Sequence, residues 1–150
     1  METNTRQVSR RLHEEHQATL ALWSRLEGAL ASGRADAALL HSAAAALAHE
    51  LGNHFEFEER SLFPLLAAAG EADIGALLQE EHEAIRAAGA RFIALVKHNP
   101  ADAGVKATGL ELAERLFAHV QKEEMSLLPM LDDLLDEETD HELASAYAAL

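Results

Sequence analysis

Two residue pairs in this sequence have the types and spacing to hold a metal ion, His54 with Glu58 and His119 with Glu123. On a helix, residues four apart project from one face about a turn apart. Imidazole nitrogen and carboxylate oxygen, with no sulfur, suit iron, manganese or zinc. One such pair alone is weak evidence, because most sit on a solvated helix surface. Here the pair recurs inside a longer repeat. The segment from His54 to Leu66 matches the segment from His119 to Leu131 at an offset of 65 residues. Glu14-Glu15-His16 matches Glu80-Glu81-His82 at an offset of 66. Two further imidazoles, His16 and His82, therefore hold equivalent places in two copies of one helix pair. Two-fold repetition with two carboxylates able to bridge favours a dinuclear centre, of which di-iron is the familiar case.

For these residues to meet, the chain must form helices that face one another. It is rich in Ala, Leu and Glu and poor in β-branched and aromatic residues, which favours helix almost throughout. Gly33 ends a first helix and Asp36 caps the second. Gly70 ends the second, and Asp73 supplies a cap or first-turn acid for the third. Asn99-Pro100 closes the third and Asp102 starts the fourth. An acidic stretch from Asp136 to Asp140 precedes a short fifth helix ending near Leu150. Pro64 and Pro129 fall at equivalent points late in their helices, and each is expected to kink or end its helix.

Each long segment carries one apolar stripe at helical spacing. The first reads Val8, Leu12, His16, Leu20, Trp23, Leu26, Leu30. The second reads Leu40, Ala44, Leu47, Leu51, His54, Glu58, Leu62, Leu65. The third reads Ile74, Leu78, His82, Ile85, Gly89, Phe92, Val96, and the fourth Val105, Leu112, Leu116, His119, Glu123, Leu127, Met130, Leu134. Four stripes with short connections predict an all-α, up-down-up-down four-helix bundle with a short C-terminal fifth helix. One domain is expected over residues 1–150, with its core at about 9–134 and the acidic C-terminal helix at about 137–150. Because the polar residues share stripes with leucines, they point at the core. An unpartnered carboxylate there costs several kcal/mol, a cost that metal ions shared between the two halves remove.

The order His16, His54-x-x-x-Glu58, His82, His119-x-x-x-Glu123, with the "EE-x-x-L-[FL]-P-x-L" tails after both pairs, resembles the hemerythrin-like HHE cation-binding family. The resemblance covers about residues 9 to 134. It implies a four-helix bundle, a carboxylate-bridged site for two iron ions (Fe2+ or Fe3+, with an oxo or hydroxo bridge; manganese or zinc as substitutes), and reversible binding of dioxygen or a related small molecule. His16, His54, His82 and His119 would be terminal ligands, and Glu58 and Glu123 would bridge. One departure matters. Hemerythrins proper carry a second His one turn from the third-helix ligand, whereas Leu78 and Arg86 occupy those positions here. His13, one turn before His16, and Glu50, one turn before His54, are the extra candidates to complete a coordination shell, with water as the other.

The remaining polar residues read more plainly. His41, His49, His98 and His141 fall off the stripes or near helix ends and are expected at the surface. Glu15 and Glu81 are expected in salt bridges or in contact with the ligands, and Glu59 and Glu124 in contact with the ligands or on the helix surface. Trp23, Phe55, Phe92 and Phe117 are core residues, some of them able to wall a dry pocket around a bound diatomic molecule.

The chain has 150 residues and a formal net charge of −14, from 12 basic and 26 acidic residues. That balance argues against a nucleic-acid partner and against an anionic membrane surface. Without cysteine, disulfides and thiolate metal sites are excluded. No apolar run is long enough to span a bilayer, and METNTRQVSRRLHEEH lacks the apolar stretch of a signal peptide, so cytoplasmic residence is expected. The first functional expectation is binding or sensing of dioxygen, nitric oxide or a peroxide, rather than turnover. A di-iron enzyme or iron donor in peroxide or nitric oxide detoxification or iron-centre repair is the second. A bundle with a structural metal, or none, is the third.

Overall fold

A computed structural model describes residues 4–150. The first three residues of the N-terminal stretch, and of the domain expected over 1–150, lie outside the described residues. All the regular elements described are helical: α1 (Gln7–Ala31), α2 (37–68), α3 (Ala72–His98), α4 (103–134) and α5 (Glu137–Ala148). Gly33 and Gly70 take left-handed φ values of +71° and +87° after α1 and α2, where a side chain would be strained. Asp36 accepts from the Leu39 N–H at 2.8 Å, Asp102 from Gly104 at 2.7 Å and Asp136 from Thr139 at 2.7 Å, capping α2, α4 and α5. Asp73 lies in the first turn of α3, whose N-cap is Glu71. No helix among the described residues is long and apolar enough to cross a membrane.

The core comes in two clusters. One holds Trp23, Leu26, Leu47, Phe92, Leu112 and Leu116 among others. The second holds Val8, Leu12, Leu62, Leu78, Leu127 and Leu131. α1 and α3 run from the second cluster to the first, and α2 and α4 run back, which is the expected up-down-up-down order. Each helix crosses between the clusters at its histidine. The buried polar side chains of that crossing form a layer between two apolar plugs.

Two of the long helices are irregular, and the stripes shift as a result. α2 contains two π turns, Glu50–His54 and Glu58–Leu62, separated by Phe55–Phe57. α4 breaks at Ser126 between Ala103–Met125 and Leu127–Leu134. Pro64 and Pro129 each lie three residues past Ser61 and Ser126. A proline has no N–H and crowds the carbonyl four residues back, so the helix opens just upstream of each. The extra residue taken up there moves the inward face by one position. Leu66 is buried where the stripe predicted Leu65, and Leu131 and Leu135 where it predicted Met130 and Leu134. On α1, Thr19 rather than Leu20 is buried.

α5 is built into the bundle. The N-cap of α1 is Arg6, whose side chain cannot accept a hydrogen bond, so acceptors come from distant residues. Asp140, on α5 and almost wholly buried, accepts from Gln7 N at 2.9 Å and Val8 N at 3.0 Å. Asp132 accepts from Ser9 Oγ at 2.6 Å and Arg6 N at 3.2 Å. Tyr147 packs edge-on against Phe57, with ring centroids 4.3 Å apart. Asp140→Ala leaves a buried N–H unpaired and removes this cap. It is expected to lower stability by about 2 kcal/mol in urea unfolding, with helix content retained.

Candidate metal centre

Helical spacing brings His16 from α1, His54 and Glu58 from α2, His82 from α3, and His119 and Glu123 from α4 to one level, all of them buried. They form two groups that share both carboxylates. One is His16, His54, Glu58 and Glu123, and the other His82, His119, Glu58 and Glu123. Within each group one donor atom per residue lies within 4.8 Å of the rest. Glu123 turns Oε1 toward His16 Nε2 at 2.9 Å and His54 Nε2 at 3.8 Å. Its Oε2 faces His119 Nε2 at 3.1 Å and His82 Nε2 at 3.7 Å. Glu58 turns Oε2 to His54 Nε2 at 3.4 Å and Oε1 to His82 Nε2 at 3.1 Å. Each carboxylate thus gives one oxygen to each imidazole pair, as a bridge between two ions requires.

The outer ring nitrogens fix where the protons lie. Nδ1 of His16 meets Glu124 at 2.6 Å, that of His54 meets Glu15 at 2.9 Å, that of His82 meets Glu59 at 2.6 Å, and that of His119 meets Glu81 at 2.8 Å. An ionised carboxylate only accepts, so each Nδ1–H donates and the neutral ring points a lone pair inward from Nε2. His82 Nε2 and His119 Nε2 then face each other at 3.1 Å. His54 Nε2, both oxygens of Glu58 and Glu123 Oε2 are buried with no hydrogen-bond partner. Lone pairs gathered in a dry space repel unless cations lie among them. The donor set fits a pair of divalent ions held by nitrogen and oxygen, each ring oriented by an outer carboxylate.

Without metal, protons take up that role. Burial disfavours charge on His16, yet hydrogen bonds with Glu123 and Glu124 outweigh it and raise its pKa to about 9. His82 reaches about 9 against the same opposition, through Glu123 and Glu58. His54 is held well above its ordinary value and His119 is raised, burial again being outweighed by Glu58 and Glu123. Glu123, despite complete burial, lies well below the usual carboxylate range because of His119, His16 and His54. Glu15 is brought down to about 2, its hydrogen bonds to His54 and Tyr147 overcoming burial.

Apolar groups close around this layer. The Phe55 ring stacks on His82 with centroids 3.8 Å apart and planes 6° from parallel. A cavity of about 370 Å³ opens against His54 between α1 and α2, walled by Thr19, Leu22, Trp23 and Glu50. Neither extra candidate belongs to the two donor groups. His13 is hydrogen-bonded through Nδ1 to Glu124 at 2.5 Å, behind His16. Glu50 accepts from Thr19 Oγ1 at 2.5 Å at the cavity wall. His41, His49, His98 and His141 are exposed. Three contributors escaped the sequence reading. Tyr147 donates to Glu15, Arg86 holds Glu59, and Lys122 pairs with Glu81. Tyr147 left one signal, as the sole tyrosine of the chain; Arg86 and Lys122 look like any surface cation.

Three outcomes are expected. His16 and His82 titrate near 9 when folded and near 6.5 when unfolded. Their stabilising contribution is therefore complete below pH 6.5 and is lost as pH rises through 9. The melting temperature of metal-free protein should fall between pH 7 and pH 10. The same protons must leave when metal binds, so calorimetry in buffers of different ionisation enthalpy should show proton release at pH 7. Replacing both His54 and His119 by alanine removes one imidazole from each group, and metal retained after dialysis should fall at least about tenfold.

No curated protein matches the chain significantly. The family model for the hemerythrin HHE cation binding domain matches residues 7–131, from the start of α1 to the middle of the last turn-segment of α4. With that match over most of its length and two His/Glu groups at the bundle centre, the chain belongs to the hemerythrin HHE cation-binding domain family.

Proposed function

We propose that this is a di-iron protein that binds or senses dioxygen or a related small molecule, nitric oxide or a peroxide, at a carboxylate-bridged centre. The observation that carries the reading is the division of Glu58 and Glu123, each with one oxygen toward each histidine pair. His16 and His54 would hold one iron and His82 and His119 the other. Iron would supply two accessible oxidation states and coordination positions open to a diatomic ligand.

The chain's own residues set the conditions for that chemistry. Glu15, Glu59, Glu81 and Glu124 keep each Nδ1 protonated and each Nε2 directed inward. Phe55, almost fully buried and stacked on His82, covers the layer from one side. The cavity against His54 offers a small molecule an approach past Ala18, Leu22, Trp23 and Ala46, with Thr19, Glu50 and Glu15 among its polar groups. Two imidazoles per ion leave room for exogenous ligands, which also supports a second reading as an enzyme acting on peroxide or nitric oxide.

Protein purified without added metal is expected to contain two irons per chain. After anaerobic reduction, admission of dioxygen or nitric oxide should produce visible charge-transfer absorption. A spectrum that stays featureless with both gases would sink the proposal, and steady-state consumption of peroxide or nitric oxide would favour the enzyme.

A further inference from the structure

The duplication that builds the centre breaks down beyond the four carboxylates that back the inner six residues, and the difference carries charge. The four outer carboxylates are equivalent by repeat: Glu15 with Glu81, and Glu59 with Glu124. Their other partners are not. Behind His82, Arg86 grips Glu59 with two nitrogens, at 2.7 and 3.0 Å. Behind His119, the Lys122 ammonium pairs with Glu81. Behind His16, Glu124 meets the imidazole of His13 at 2.5 Å. Behind His54, Glu15 accepts from the phenol of Tyr147, with the half-exposed Arg11 at 3.4 Å as its one guanidinium. By the same offsets, Leu20 and Phe57 stand where Arg86 and Lys122 would be in the first half.

We propose that the protein holds its two metal ions unequally, the ion at His16 and His54 tightly and the ion at His82 and His119 as the exchangeable one. The inference rests on the dinuclear reading above. Glu58 and Glu123 serve both ions and cannot discriminate between them. A carboxylate behind a metal-bound imidazole makes the ring a stronger donor. A cation clamped on that carboxylate withdraws the benefit and also repels the dication beyond it. The second half carries two such cations and the first only Arg11, which lies over the Tyr147 ring at 4.9 Å and reaches Glu15 through a single contact at 3.4 Å. The packing keeps Arg86 there, since its guanidinium lies 5.7 Å from the centre of the Phe55 ring that stacks on His82.

Iron(II) alone, added anaerobically to metal-free protein and withdrawn by a competing chelator, tests this. His119→Ala preserves the His16/His54 position, and His54→Ala preserves the His82/His119 position. The first variant is expected to hold iron about tenfold more tightly than the second. On the His54→Ala background, Arg86→Gln with Lys122→Gln should raise affinity toward that of His119→Ala, whereas Arg86→Lys should leave it unchanged. If Arg86 and Lys122 merely anchored their glutamates, the glutamine pair would lower affinity, and that result would overturn the proposal. Equal affinities in the two single variants would do the same. Should a histidine variant not fold, wild-type iron release serves instead. It should be biphasic, and the glutamine pair should slow the fast phase alone. A single phase releasing two irons refutes unequal binding and spares the dinuclear reading. Uptake of fewer than two irons refutes both.

Discussion

Four imidazole lone pairs and two carboxylates meet in the buried middle of this bundle, and among the described residues no lysine or arginine pairs with Glu58 or Glu123. His82 and His119 bring their Nε2 atoms to 3.1 Å, and neither oxygen of Glu58 has a hydrogen-bond partner. Such a layer is an uncompensated cost in an apolar interior. It is tolerable because cations are meant to occupy it, metal ions when loaded and protons otherwise. The raised pKa values of all four histidines are the metal-free form of that requirement. Much else in the structure follows from keeping these groups together.

The layer divides the apolar core into two plugs, and each long helix passes from one to the other at its histidine. Packing at both ends therefore sets the height at which the ligands meet. A helix anchored on one side only could slide or tilt and pull its donor out of reach. The two π turns of α2 serve the same geometry, since His54 ends the first and Glu58 begins the second. π turns are often found at functional sites. The repeat-related stretch of α4 presents His119 and Glu123 from ordinary α-helix. Duplicated sequence thus reaches a two-fold arrangement of donors through two different backbones.

Symmetry fades with distance from the centre. The inner six residues and the four carboxylates behind them obey the repeat. Beyond them, Arg86 and Lys122 lie on one side, His13 and Tyr147 on the other. Direct donors must satisfy a common geometry, so both copies are held alike. Outer partners act through charge, and there the copies are free to differ.

Residue types and spacing alone determined the helical class, the ends of the helices and the six residues that meet. Those properties are local or periodic. Gly33 and Gly70 end helices through backbone freedom, Asp36 and Asp102 cap through hydrogen bonds two or three residues on, and a repeat of 65 or 66 positions shows in the letters themselves. Tertiary structure decided the rest. The π turns and the break at Ser126 moved the buried face by one residue, from Leu65 to Leu66 and from Met130 to Leu131, because a helix accommodates strain wherever its neighbours allow. Asp140 caps a helix more than 130 residues away in the chain, and Tyr147 reaches Glu15 across a similar separation. No spacing rule links residues so distant, since their approach depends on how whole helices dock.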